Sequence, residues 1–180
     1  MKTKQLILVG VFAALIAIGA QISIPIGPLP ITLQVPMVIL AGTLLGPRYG
    51  VFSLVVYLLL GLIGIPVFAG GSGGFSAFMS PSFGFLIGFI ALAFFAGISA
   101  SKERHIVTSG FILAIGVGVM FAIGLLYFYL LMNYVVMTPV SLTKAISFTV
   151  TPFIIKDLII AVGTLMLSKV LVRRGVRVDF

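Results

Sequence analysis

The sequence predicts an all-α integral membrane protein of six transmembrane helices with both termini cytoplasmic. Three observations carry that expectation. Of 180 residues, 61% are hydrophobic and 8% charged, with a mean hydropathy of +1.36, whereas soluble domains carry about 25% charged residues. Charged side chains are absent from residues 5–47, 49–101 and 106–143, runs of 43, 53 and 38 positions, each longer than the roughly 20 apolar residues of one spanning helix. The basic residues are also one-sided. With six spans, Lys2, Lys4, Arg48, Lys102, Arg104, Lys169, Arg173, Arg174 and Arg177 share one compartment and leave only Lys144 and Lys156, and the positive-inside rule makes that compartment the cytoplasm.

The same composition excludes several classes of function. An excess of 11 Lys plus Arg over 3 Asp plus Glu would point to nucleic acid in a soluble protein, but here it reports topology. The chain has no cysteine, one histidine and three acids, too little for a metal centre. Residues 1–180 read as a single six-helix membrane domain, so energy for any transport must come from a partner.

The elements follow in order. Met1-Lys-Thr-Lys before an apolar run could open a cleaved signal peptide, but a first transmembrane helix near 5–24 explains the same residues. Its Gly10, Ala13, Ala14 and Ala17 recur at spacings of three and four, and small faces let membrane helices approach closely. That face serves packing within the chain or docking of a partner. Residues 25–32, with Pro25, Gly27, Pro28 and Pro30, cannot be regular helix. Non-helical backbone near membrane depth survives when it lines a cavity or is buried in protein, so this segment is a candidate cavity wall. Helices near 33–46 and 50–64 follow.

The stretch from Gly61 to Gly74 holds six glycines and leads to Ser80-Pro-Ser82. Glycine lets backbone amides approach a ligand, so the stretch is either a ligand-covering lid or a flexible outer connection. It lacks the Gly-Lys-Ser/Thr ending of a phosphate loop. Gly71-Ser72-Gly73 would need a nearby base to act as a serine nucleophile, and the single histidine, His105, falls in the cytoplasmic loop. Helices near 83–100 and 106–131, an outer loop over 132–147 and a last helix near 148–171 complete the chain.

In that last helix Thr151 reads as N-cap and Pro152 as first residue. Asp157 then lies roughly 8 Å below the outer end and about 18 Å from Lys169. An acid inside the hydrocarbon costs about 2.5 to 3.5 kcal/mol, so it should face a cavity or the bundle interior and have a partner. Ligand contact and a packing ion pair both satisfy that requirement. Adjacent helical positions point about 100° apart, so Lys156 and Asp157 are each expected to meet something else.

Gly27-Pro-Leu-Pro-Ile-Thr-Leu-Gln34, Leu-Leu-Gly46-Pro-Arg-Tyr-Gly50, Gly64-Ile-Pro-Val-Phe-Ala-Gly-Gly-Ser-Gly-Gly74 and Pro152-Phe with Asp157, in that order, resemble the BioY family. That family supplies the biotin-specific S component of energy-coupling-factor (ECF) vitamin transporters. The resemblance implies an ECF S-component-like fold in a prokaryotic cell membrane, surrounded by lipid. It further implies that biotin is held near the outer face as substrate, with no cofactor, and that a transmembrane coupling subunit and two ATPases act as partners. It raises the docking reading for Gly10, Ala13, Ala14 and Ala17. Two departures stand out: the family's Lys three positions after the Asp is Ile160 here, and its Gly-Pro-Thr-Gly-Gly-Tyr is Ser80-Pro-Ser-Phe-Gly-Phe85.

Biotin offers an apolar bicycle, a ureido group and a carboxylate, and such ligands take mostly apolar pockets with a few placed polar groups. Asp157 can accept from the ureido N–H groups; Gly71 and Gly74 amides, Ser72, Ser80 and Ser82 can donate. Lys156 is the cation at suitable depth for the carboxylate, with Lys144 as runner-up. Gln34 and Thr32 stand beside the proline-rich wall. The same fold serving another vitamin remains an alternative. An intramembrane enzyme would need two proton-transfer groups at one depth, and the interior offers only Lys156 and Asp157.

Overall fold

The computed structural model describes residues 3–27, 29–100 and 105–174. Lys2, Pro28, Lys102, Arg104 and Arg177 lie outside the described residues. Six helices dominate: α1 (Thr3–Gln21), α2 (Gln34–Leu62), α3 (Phe83–Ser99), α4 (Ile106–Leu130), α5 (Leu142–Thr149) and α6 (Ile154–Arg173). Among the described residues, three are long and apolar enough to cross a membrane by length and composition, at Thr3–Gln21, Gln34–Leu62 and Ile106–Val135; α5 and α6, bent by 41°, make a fourth if taken as one broken span. All carry apolar side chains on their exposed faces, such as Ile7 and Val11 on α1, Phe111 on α4 and Ile159 on α6. Water would penalise those faces, and lipid does not.

The described residues of the 25–32 segment are not helical. They belong to an antiparallel hairpin, β1 (Ser23–Ile26) and β2 (Leu29–Thr32), with Ser23 opposite Thr32 and Pro25 opposite Pro30. Two facing prolines have no N–H to exchange, so they fit the rung of an antiparallel ladder that carries no hydrogen bonds. Strand β2 is the inner one, with Leu29 and Thr32 buried.

The helices expected at 33–46 and 50–64 meet with only one residue between them. Gly46 takes φ 78°, ψ 172°, a conformation that suits glycine, and Pro47 restarts the helix. The two limbs then fold back tightly. A Cβ added at Gly50 would lie 2.7 Å from the Gly42 Cα, whereas eight residues along a straight helix span about 12 Å.

α3 packs between α2 and α4, α1 packs against α2, and α6 closes against α2 and α4. Ile39, Leu54, Leu92, Leu113 and Met120 form the buried centre. The expected last helix divides in two. Pro152 has no N–H for the Phe148 carbonyl and its ring would clash there, so α5 ends at Thr149 and α6 starts at Ile154. Thr151 is therefore not the N-cap of α6; its hydroxyl donates back to the Ile146 carbonyl at 3.4 Å. His105 is exposed and caps α4, its Nδ1 accepting from the Val107 N–H at 3.4 Å.

Candidate functional site

A cavity of about 190 Å³ opens at the end of the bundle where the hairpin leaves α1. Six parts of the chain enclose it. Strand β2 contributes Leu29, Pro30 and Thr32, the start of α2 contributes Gln34 and Val35, and the glycine-rich connection contributes Phe68, Ala69, Ser72, Ala77, Ser80 and Ser82. Phe85, Leu86 and Phe89 of α3 and Met120 and Phe121 of α4 make an apolar wall. Phe153, Lys156 and Asp157 complete it at the start of α6.

Among the described residues, the only charges on the lining are Lys156 and Asp157, and they meet each other. Lys156 Nζ lies 2.5 Å from Asp157 Oδ1, which corrects the expectation of separate partners. The 100° offset separates the Cβ directions, but four methylenes let the lysine head curl back to its neighbour. Asp157 is 4% exposed, and the ammonium also stands 5.7 Å from the Phe153 ring centre. The pair places an acceptor and a donor side by side at the edge of an aromatic chamber. Two pairs of polar side chains face the remainder, the first half-buried and the second buried. Ser80 and Ser82 share a hydrogen bond at 2.8 Å, and Thr32 Oγ1 donates to Gln34 Oε1 at 3.1 Å.

The connection covering the cavity is held from three helices. Gln21 at the end of α1 donates from Nε2 to the carbonyls of Pro66 and Phe68, at 3.2 and 3.1 Å. The Tyr57 hydroxyl reaches the Val67 carbonyl and the Tyr127 hydroxyl the Phe78 carbonyl. Gly70, Gly71 and Gly74 take φ between 69° and 82°, which lets the loop turn over the opening.

Seven of the nine residues expected at a binding site line the cavity: Thr32, Gln34, Ser72, Ser80, Ser82, Lys156 and Asp157. Gly71 and Gly74 do not; they shape the loop instead. Lys144 is exposed on α5, away from the lining. The small residues of α1 divide between two faces. Ala13 is 2% exposed and belongs to the core, so it is corrected from a docking to a packing residue; Ala17 is half-buried, while Gly10 and Ala14 are exposed. The aromatic wall and the grip of Gln21 and Tyr57 on the loop went unread, since phenylalanine is background in a chain with 16 of them. Gln21 and Gln34 offered a signal, as long polar side chains in charge-free stretches.

The described basic residues segregate with respect to the cavity. α1 reaches the hairpin after 19 residues and α6 departs from Asp157 toward Arg173, so Lys4, Lys169, Arg173 and Arg174 lie on the order of 18 to 27 Å along their helices from the cavity end. Arg48 follows the Gly46 break, far from Gln34.

A family model described as BioY family matches residues 1–177. Among known proteins, the chain is 40% identical over 169 residues to one named Probable biotin transporter BioY from Pyrococcus horikoshii, covering 94% of this chain and 96% of that one. It is 42% identical over 159 residues to a Biotin transporter BioY from Thermotoga maritima, covering 87% and 88%. A crystal structure of the S-component for biotin from an ECF-type ABC transporter superposes with a TM-score of 0.81 at 31% identity, over 96% of this chain and 92% of that chain.

Proposed function

Because this chain belongs to the BioY family, we propose that it is the biotin-binding S component of an ECF-type uptake transporter and that its cavity is the biotin site. The observation that carries this reading is the Lys156–Asp157 pair on the wall of a chamber otherwise lined by aromatic, aliphatic and neutral polar side chains. A cyclic urea presents an N–H and a C=O side by side. Asp157 accepts from the N–H and Lys156 donates to the carbonyl, so each charge exchanges one partner for another without being left bare. Lys156 is thereby assigned to the ureido group rather than to the carboxylate. The tail falls to neutral donors: the hydroxyls of Ser72, Ser80 and Ser82 and the Gln34 amide. The thioether bicycle packs on Phe85, Phe89 and Phe121. Competition tests the reading: unlabelled biotin should displace labelled biotin, and an analogue with the urea opened to a diamine should not. Equal displacement by the diamine would contradict the ureido assignment.

The six-span topology belongs to the same reading, with the two limbs of α2 counted separately, the cavity outward and the basic ends cytoplasmic. In this cysteine-free chain, single cysteines at Ser72 and Arg173 should label from opposite sides with an impermeant thiol reagent. Labelling of Arg173→Cys alone from outside would invert the map.

A transmembrane coupling subunit and two ATPases then drive transport, and α1 offers Gly10 and Ala14 as an exposed small-residue face for the first of them. Ala14→Leu should lower uptake by assembled transporters several-fold while biotin binding by the isolated chain persists. Normal uptake would remove this face from the interface.

A further inference from the structure

We propose that Tyr57, which does not line the cavity, is a positioning residue for substrate binding: its hydroxyl fixes the orientation of the Gln34 amide on the cavity wall and ties that amide to the covering loop. This rests on the reading of the cavity as the biotin site. Gln34 is 3% exposed and Tyr57 is fully buried. Gln34 Nε2 donates to the Tyr57 hydroxyl at 2.9 Å, and that hydroxyl donates to the Val67 carbonyl at 3.3 Å. A backbone carbonyl only accepts. The phenolic hydrogen is therefore committed to Val67, and Tyr57 can receive Gln34 only through an N–H. On the other side Thr32 Oγ1 donates to Gln34 Oε1, and the Gln34 backbone N–H donates to Thr32 Oγ1 at 3.3 Å. The relay has one polarity, since a flipped amide would set its oxygen against a hydroxyl whose hydrogen is already used.

With the amide so fixed, one Nε2–H and one Oε1 lone pair remain uncommitted on a side chain that lines the cavity. The free N–H suits a carbonyl or carboxylate oxygen of the ligand. The same tyrosine sets the loop, because Val67 precedes Phe68, a lining residue whose ring meets Tyr57 edge-on at 5.5 Å. Packing alone does not call for the hydroxyl. Phenylalanine would fill the same space without a polar group to satisfy.

The test is a double-mutant cycle on biotin affinity, read by calorimetry on the purified full chain, with the stoichiometry reporting the folded fraction and a ligand-free melt beside it. Tyr57→Phe should weaken binding by the folded fraction about fivefold to tenfold, with a lowered ligand-free melt because the Gln34 N–H and the Val67 carbonyl each lose a partner. In a Gln34→Met background the same substitution should add no further loss. Gln34→Glu, which removes the N–H while keeping the length, should lose at least as much as Gln34→Met and reads the polarity without touching Tyr57. Unchanged affinity in Tyr57→Phe, losses that add fully to those of Gln34→Met, or tight binding by Gln34→Glu would each overturn the relay. Absence of biotin binding by the unmutated chain would instead overturn the reading of the cavity.

Discussion

Asp157→Asn is expected to weaken biotin binding about tenfold to a hundredfold while leaving most of the protein folded. The substitution keeps size and one carbonyl acceptor, but it removes the charge that strengthens the ureido contact and introduces an N–H that competes with the ligand's own. Hydrogen bonds to charged groups contribute about 1.5 to 3 kcal/mol, and each 1.4 kcal/mol is tenfold in affinity. The ligand-free melt should move little, because the side chain of Lys156 is 25% exposed and its ammonium can turn to water. If Asp157 serves only to hold α6 in place, the order reverses: the melt falls and the affinity of the surviving folded fraction stays. Calorimetry and a melt on the same preparation separate these outcomes.

Gly50→Ala is expected to lower stability strongly. Its new Cβ would lie 2.7 Å from the Gly42 Cα and 3.0 Å from the Gly42 nitrogen, both backbone atoms of the facing limb of α2. No flexible side chain can give way, so relief requires the limbs to separate at the fold-back beside α3. Overpacking costs about 1 to 3 kcal/mol, occasionally more, and this site belongs at the upper end. A thermal melt followed by size-exclusion chromatography should show marked loss of monodisperse protein. Gly10→Ala, where a Cβ meets nothing within 4 Å, is the control and should melt like the unmutated chain. A Gly50→Ala variant as stable as that control would mean the limbs are not in contact.

The membrane character of the chain was legible because charged residues, 8% of the chain, are so sparse that long uncharged runs stand out between them. Pro25, Pro28 and Pro30 announced the break after α1, but not that Ser23 would pair with Thr32, since strand pairing depends on the register across the turn. Pro152 was legible as a boundary and misread in kind. A proline serves equally as the first residue of a helix or as the end of the preceding one, and only the position of Phe148 in α5 decides. The Lys156–Asp157 contact was missed because a rule about Cβ directions says little about a side chain with four rotatable methylenes. Along α1, alternation of Gly10, Ala13, Ala14 and Ala17 describes two adjacent faces. The spacing alone could not say that Ala13 turns inward and Ala14 outward. The polar side chains of the cavity were found because each is conspicuous in hydrocarbon, whereas the wall of Phe, Leu and Met is built from apolar residues, which make up 61% of the chain.

Titration of the purified, cysteine-free chain with biotin bears most directly on the claim that this cavity is a biotin site. The expected result is one biotin per chain with a dissociation constant of micromolar or tighter, about −8 kcal/mol or better, together with a raised melting temperature in the presence of biotin. A folded preparation that shows neither binding heat nor a shifted melt, or that binds another vitamin more tightly than biotin, would contradict it.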